Sequence, residues 1–195
     1  MRAFTVHEGV AAPLDRADVD TDQIIPAVYL RRVERTGFGP FLFEAWRRDP
    51  SFVLNDARYE GASILVTGPN FGSGSSREHA VWALEDYGFR AVIAPSFADI
   101  FRSNCTKVGV LPVELAEGEI RALLDLATSN PGATITVDLG ARTVTAPGFS
   151  ATFAIDDFTR WRFLEGLDDI GLTLRHAEAI TAFEATRDAA LPTTR

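Results

Sequence analysis

The stretch Gly68-Pro69-Asn70-Phe71-Gly72-Ser73-Gly74-Ser75-Ser76-Arg77-Glu78-His79-Ala80 concentrates the groups able to do chemistry in this chain. Two adjacent hydroxyls, Ser75 and Ser76, stand beside the guanidinium of Arg77, which can grip a carboxylate through two parallel hydrogen bonds. Glycines let the backbone approach a ligand closely. A helix starting here adds unpaired N–H groups and the positive end of its dipole, so the segment reads as an anion site. Ser75 also has a plainer reading. Ser75-x-x-Glu78 fits a capping box, in which the hydroxyl only closes a helix end. His79 would share a helical face with Ser75, as a proton partner or as a hydrogen-bonding structural histidine.

Rival motifs fail on inspection. A dinucleotide fingerprint needs a third glycine, and Gly72-Ser73-Gly74-Ser75-Ser76-Arg77 has arginine there. A hydrolase elbow needs glycine two residues after its serine, and Ser76 is followed by Arg77 and Glu78. The only lysine, Lys107, follows Thr106, so there is no phosphate-loop lysine.

The elements around this stretch have an α/β pattern. Ser63 to Thr67 is an apolar run between Gly61 and Gly68, hence a buried strand. The spacing predicts a helix from Ser75 to Tyr87, with Gly88 at its end. Ala91 to Ala94 is the next strand, residues 96–105 a helix, and Val108 to Val113 a third strand. This alternation predicts a central parallel sheet with crossover helices. Residues 117–129 form another helix. Residues 133–138, 142–145 and 150–155 read as additional antiparallel strands, in a meander or part of a second sheet. Phe158 to Glu165 is a helix stopped by Gly166, and Asp168 caps the segment after it. A last amphipathic helix spans 176–187.

Ahead of the first buried strand, residues 2–11 suit a strand-like arm. Asp20-Thr21-Asp22 is acidic, and Pro26 disfavours helix at Ile25. Residues 27–35 could make a short helix or a strand, and residues 36–50, interrupted by Gly37, Gly39, Pro40 and Pro50, read as a long functional loop or a small helical excursion. The expected organisation is one domain over residues 1–187 and a flexible tail at 188–195.

The 195 residues carry a net charge of −8, which argues against a nucleic-acid footprint. No apolar run approaches the ~20 residues of a membrane span. The first residues, Met-Arg-Ala-Phe-Thr-Val-His-Glu, lack the apolar core of a secretion signal, so the expected location is the cytoplasm. The one cysteine, Cys105, can form no internal disulfide and cannot hold an iron–sulfur cluster; it reads as a buried, inert thiol. Asp168-Asp169 reads as a helix cap and not a metal site, and no metal ligand set is expected.

The string from Gly68 to Ala80 resembles the signature of the swivelling domain of the aconitase superfamily, and Asp20-Thr21-Asp22-Gln23-Ile24-Ile25-Pro26 resembles its other hallmark. Thr36-Gly37-Phe38-Gly39 and Leu164 to Leu174 resemble bacterial isopropylmalate dehydratase small subunits in particular. The likeness runs from residue 1 to about 187. It implies a swivelling β/β/α domain and a 4Fe-4S cluster held by a large partner subunit in a heterodimer. It implies that Ser75 is the base that removes a carbon-bound proton, and that Ser76 and Arg77 bind a substrate carboxylate. It implies a substrate-recognition loop at Val28-Tyr29-Leu30-Arg31-Arg32, with Leu30, Arg31 and Arg32 against the substrate. The implied reaction is interconversion of 2- and 3-isopropylmalate in leucine biosynthesis, with the cluster's open iron acting as a Lewis acid on the departing hydroxyl. Small subunits of homoaconitate, citraconate or dimethylmaleate hydratases are the near alternatives. Val28, Leu30, Phe38, Phe41, Leu42 and Phe43 could meet an isopropyl group, while Arg31 and Arg32 could meet a third carboxylate. A non-enzymatic anion- or nucleotide-binding module is the alternative of another class.

With a single thiol, the isolated chain should purify colourless and without activity. Visible absorbance of the protein purified anaerobically checks this: a brown product with a cluster band would contradict it.

Overall fold

The computed structural model describes residues 1–188; of the tail expected at 188–195, all but the first residue lies outside the described residues. Seven strands form one sheet in the order β4-β3-β2-β1-β5-β6-β7. They are β1 (Val6–Leu14), β2 (Ile64–Thr67), β3 (Ala91–Ala94), β4 (Leu111–Glu114), β5 (Thr134–Asp138), β6 (Thr143–Ala146) and β7 (Phe149–Thr152). β1 to β4 are parallel, and β5 to β7 form an antiparallel meander. The meander is therefore not a second sheet. It joins the parallel strands through β1, whose first half pairs antiparallel with β5 and whose last residues pair parallel with β2.

Every residue of β2 and β3 is buried, as expected of parallel strands covered on both faces. Alternation sends Leu65 and Val92 to one face and Ile64, Val66 and Ile93 to the other. The first face is covered by α3 (Glu78–Tyr87) and α4 (Asp99–Val108). The second is covered by α5 (Glu117–Ser129), through Ile120, Leu123 and Leu124, and by Phe163 of α6 (Asp157–Glu165).

Of the readings left open for residues 27–50, the short helical ones hold. Beyond an exposed stretch ending at Gly37, Phe38, Leu42 and Phe43 are fully buried in the first core. Phe38 N–H donates to Asp86 of α3 at 2.7 Å, and a side chain on Gly39 would strike the α3 backbone at 2.9 Å. The segment folds as a 3₁₀ turn at Gly39–Phe41 and the short α2 (Glu44–Arg47). Phe38, Leu42 and Phe43 therefore serve packing and cannot line a pocket for an isopropyl group. At the other end, α7 (Asp169–Leu174) is capped by Asp168, which accepts from Gly171 N–H at 2.7 Å, as expected. α8 (Ala177–Thr186) buries no residue, so its apolar side chains face no core.

The connection after β2 is set by close approach within the protein. Phe71 is fully buried, edge-on to Phe101 at 5.3 Å. Gly72 has φ +79°, and a Cβ there would lie 2.1 Å from the Phe101 ring. Gly72→Ala should therefore destabilise through overpacking, by roughly 1–3 kcal/mol, and through its left-handed backbone, by roughly 1–2 kcal/mol. Urea unfolding of the isolated chain checks the sum.

Candidate active site

The loop between β2 and α3 crosses the C-terminal ends of the parallel strands, the usual ligand edge of an open α/β sheet. It is wedged between two other segments. On one side, Gly68 N–H donates to Arg16 carbonyl at 3.1 Å, and Gly72 N–H to Val19 carbonyl at 2.8 Å. On the other, Phe71 N–H donates to Ser96 carbonyl at 3.2 Å, and Ala98 N–H donates back to Phe71 at 3.1 Å. A Cβ on Gly68 would lie 2.5 Å from the Arg16 oxygen. Gly68 and Gly72 thus answer to the protein's own packing, not to a ligand. Gly74, exposed at φ +86°, is the glycine left at the open end.

The helix begins later than the spacing suggests. Arg77 is its N-cap residue, in extended conformation, and no side chain caps it. The capping-box reading of Ser75 fails, because Ser75 and Ser76 sit in the exposed turn before the helix. The capping box stands instead at α1 (Thr21–Ile24): Asp20 accepts from Gln23 N–H at 2.8 Å, and the Gln23 side chain accepts from Asp20 N–H at 2.9 Å. α1 also braces the serine loop. Thr21 N–H donates to Ser73 carbonyl at 2.9 Å, and the Thr21 hydroxyl donates to Ser75 carbonyl at 2.9 Å.

Among the described residues, the amide N–H groups of Gly74, Ser75, Ser76 and Arg77 and the hydroxyls of Ser75 and Ser76 have no hydrogen-bond partner. A consecutive row of free N–H groups ahead of a helix start is a concentrated positive potential.

Arg77 is tied down. Its guanidinium pairs with Asp22 through both nitrogens, one of them at 2.7 Å, and reaches Ile25 carbonyl at 3.5 Å. The hydrogen bond from Arg77 holds the Asp22 carboxyl below the usual carboxylate range, against the opposing effect of burial. A carboxylate ligand must therefore share or displace a protein carboxylate at this fork. The sequence reading placed Arg77 at a ligand but missed Asp22 as its resting partner; the acidic hallmark carried the signal.

His79 makes no hydrogen bond to Ser75. Its ring lies 5.3 Å from Phe38 and 4.5 Å from Trp82. Burial lowers its pKa, with Arg77 acting the same way and Glu78 opposing. Cys105 is fully buried and its thiol pKa is pushed up by desolvation, as an inert thiol requires.

The segment expected to recognise substrate forms a 3₁₀ turn at Ala27–Arg31. Tyr29 stacks on Phe41 at 4.0 Å and donates to Glu44 at 2.8 Å. Arg32 lies over Phe41 at 5.2 Å and Phe38 at 5.5 Å, and 3.7 Å from Glu34. Arg31 is exposed and has no partner among the described residues; Leu30 is half-buried. A cleft of about 490 Å³ opens elsewhere, between the strand ends and α5 at Asp15, Gly68, Pro95 and Arg121, and includes neither serine.

A glycine- and serine-rich loop carried at the ends of parallel strands, in a sheet extended by an antiparallel meander, is the architecture of the aconitase-type swivelling domain, and residues 1–118 match the Aconitase C-terminal domain model. Residues 121–157 match a further model of the same group, LeuD_N, and residues 169–194 match the model for the C-terminal domain of the 3-isopropylmalate dehydratase small subunit. The chain belongs to the family of 3-isopropylmalate dehydratase small subunits. It is 62% identical over 194 residues to the protein of that name from Parafrankia sp., covering 100% of both chains. It is 63% identical over 195 residues to that from Acidothermus cellulolyticus, covering 100% of this chain and 99% of the other. The crystal structure of 3-isopropylmalate dehydratase from Methanocaldococcus jannaschii superposes with a TM-score of 0.68 at 27% identity, covering 92% of this chain and 99% of that one.

Since Ser75 caps nothing, Ser75→Ala should change stability by less than about 0.5 kcal/mol, the range of an ordinary surface substitution. Loss of a true cap would cost about 1 kcal/mol. Thermal melts of the two proteins separate these outcomes.

Proposed function

We propose that this chain works in the cytoplasm with a large subunit to interconvert 2-isopropylmalate and 3-isopropylmalate by dehydration and rehydration, in leucine biosynthesis, with Ser75 as the base. The observation that carries the reading is the Ser75 hydroxyl: unbonded, exposed, and flanked by free N–H groups ahead of a helix. A neutral hydroxyl is a weak base, so the oxygen must act as an alkoxide, and fixed N–H dipoles are what stabilise one. The alkoxide takes the proton from the carbon beside a substrate carboxylate. Ser75 becomes a neutral hydroxyl, the C–H electron pair forms the C=C bond, and the hydroxyl leaves with the C–O pair as hydroxide, which a proton converts to water; readdition runs the same steps backwards with the positions of H and OH exchanged. Arg77 binds the carboxylate through its planar fork, in competition with Asp22, and Ser76 adds a hydroxyl and an N–H.

Of the recognition residues, Arg31 is the one free to reach a ligand, because Arg32 is committed to Phe38, Phe41 and Glu34. Leu30 and Val28 remain as apolar contacts for the isopropyl group.

The residues present do not fit an iron–sulfur cluster. The one thiol is buried, and among the described residues no group of His, Cys, Asp and Glu could hold a metal ion. The 4Fe-4S cluster of the reaction is assigned to the large subunit. None of the described helices is long and apolar enough to cross a membrane.

The test is turnover of the reconstituted, cluster-loaded complex on a panel of 2- and 3-substituted malates. Isopropylmalate should be the preferred substrate. Ser75→Ala should lose at least about a hundredfold in kcat, the scale of a lost acid–base group. Arg77→Lys should raise KM and lower kcat without loss of folding, and Arg31→Ala should raise KM more than Arg32→Ala. Near-wild-type turnover of Ser75→Ala in an assembled complex would overturn the assignment of the base.

A further inference from the structure

We infer that Thr21 is a positioning residue for the reaction: its hydroxyl pins the Ser75–Ser76 peptide so that the Ser76 N–H is presented to the charge that develops at the serine loop. The inference rests on Ser75 being the base. It starts from an imbalance in the loop. Ser75 and Ser76 are exposed and their side chains are unbonded, yet the carbonyl between them is held by the hydroxyl of Thr21, a residue only 2% exposed. That bond spans 54 residues of sequence at 2.9 Å. It belongs to a firm brace, since Thr21 N–H also holds Ser73 carbonyl at 2.9 Å and α1 is locked by its own capping box.

The consequence follows from peptide geometry. No cis peptide bond occurs in the described chain, and in a trans peptide the C=O and the following N–H point in opposite directions. With Ser75 carbonyl fixed on Thr21, the Ser76 N–H is turned to the open side, where it has no protein partner. The same bond keeps the negative end of that dipole away from an alkoxide at Ser75. Were the peptide free to flip, the carbonyl oxygen would face the developing charge and raise the barrier. The peptide turns through ψ of Ser75 and φ of Ser76, both in the exposed turn ahead of the helix, so the pin has something to prevent.

A purely structural threonine would affect folding and leave the kinetics of the folded complex alone. The experiment therefore compares Thr21→Val, which removes the hydroxyl in the same shape, with Thr21→Ser, which keeps it. Both are measured in the cluster-loaded complex with its large subunit. Thr21→Val should lower kcat at least about tenfold with little change in KM, because the lost donor acts on charge present only in the transition state. Thr21→Ser should recover kcat to within about threefold of wild type. In a Ser75→Ala background, Thr21→Val should change the residual turnover less than about twofold, because two residues acting through one group are not additive. If Thr21→Val does not fold, Thr21→Cys, whose thiol is a weak donor, carries the same expectation of a lower kcat. Wild-type kcat in folded Thr21→Val, or in Thr21→Cys, overturns the inference while leaving Ser75 as base. An additive double variant also overturns it. Near-normal turnover of Ser75→Ala removes both.

Discussion

The burial of Phe71 against Phe101 is the contact on which the active loop depends. It places an aromatic anchor in the middle of what would otherwise be a glycine-rich turn with little to hold it. Once Phe71 is seated, its backbone bonds to the segment after β3, and Gly72 and Ser73 N–H both reach Val19 after β1. The loop is then fixed from both sides before any residue of chemical interest is reached. Only the last part, from Gly74 to Arg77, stands free of the core, and there the backbone donors are unspent. The protein thus has a rigid root and an open rim, which suits a site meant to be completed by another surface.

The same division explains what the amino-acid pattern disclosed. The parallel strands, α5 over 117–129, the Gly166 stop and the Asp168 cap follow from local rules, and the structure has them. Ser75 as a helix cap also followed from a local rule, and it failed because a distant threonine holds the Ser75 carbonyl and the extended Arg77 delays the helix. Phe38, Leu42 and Phe43 sit among glycines and prolines, so they read as loop. Their size was the contrary signal, since three large apolar side chains this close together must be covered somewhere. The turn carrying Ser75, Ser76 and Arg77 was legible as a break between strand and helix; its bracing by α1 was not, because nothing local links residue 21 to residue 75.

Electrostatics at the rim rest on one ion pair. Arg77, whose side chain is 10% exposed, is held by Asp22, which is 56% exposed. The pair is anchored in the protein through the guanidinium, which also reaches Ile25 carbonyl, and is open to water through the carboxylate. It fixes the orientation of Arg77 beside the serine turn.

β1 has a further consequence through its two partners. Its last residues pair with β2, the next strand in the chain, while its first half pairs with β5, whose residues are made much later. On a growing chain the parallel half of the sheet can form while the front of β1 is still a bare strand edge. Bare edges invite pairing with other chains, and large α/β chains are most exposed to that hazard while incomplete. The meander is thus more than an ornament on the far side of the sheet from the serines. It is the guard that closes the edge of β1 along Val6 to Val10.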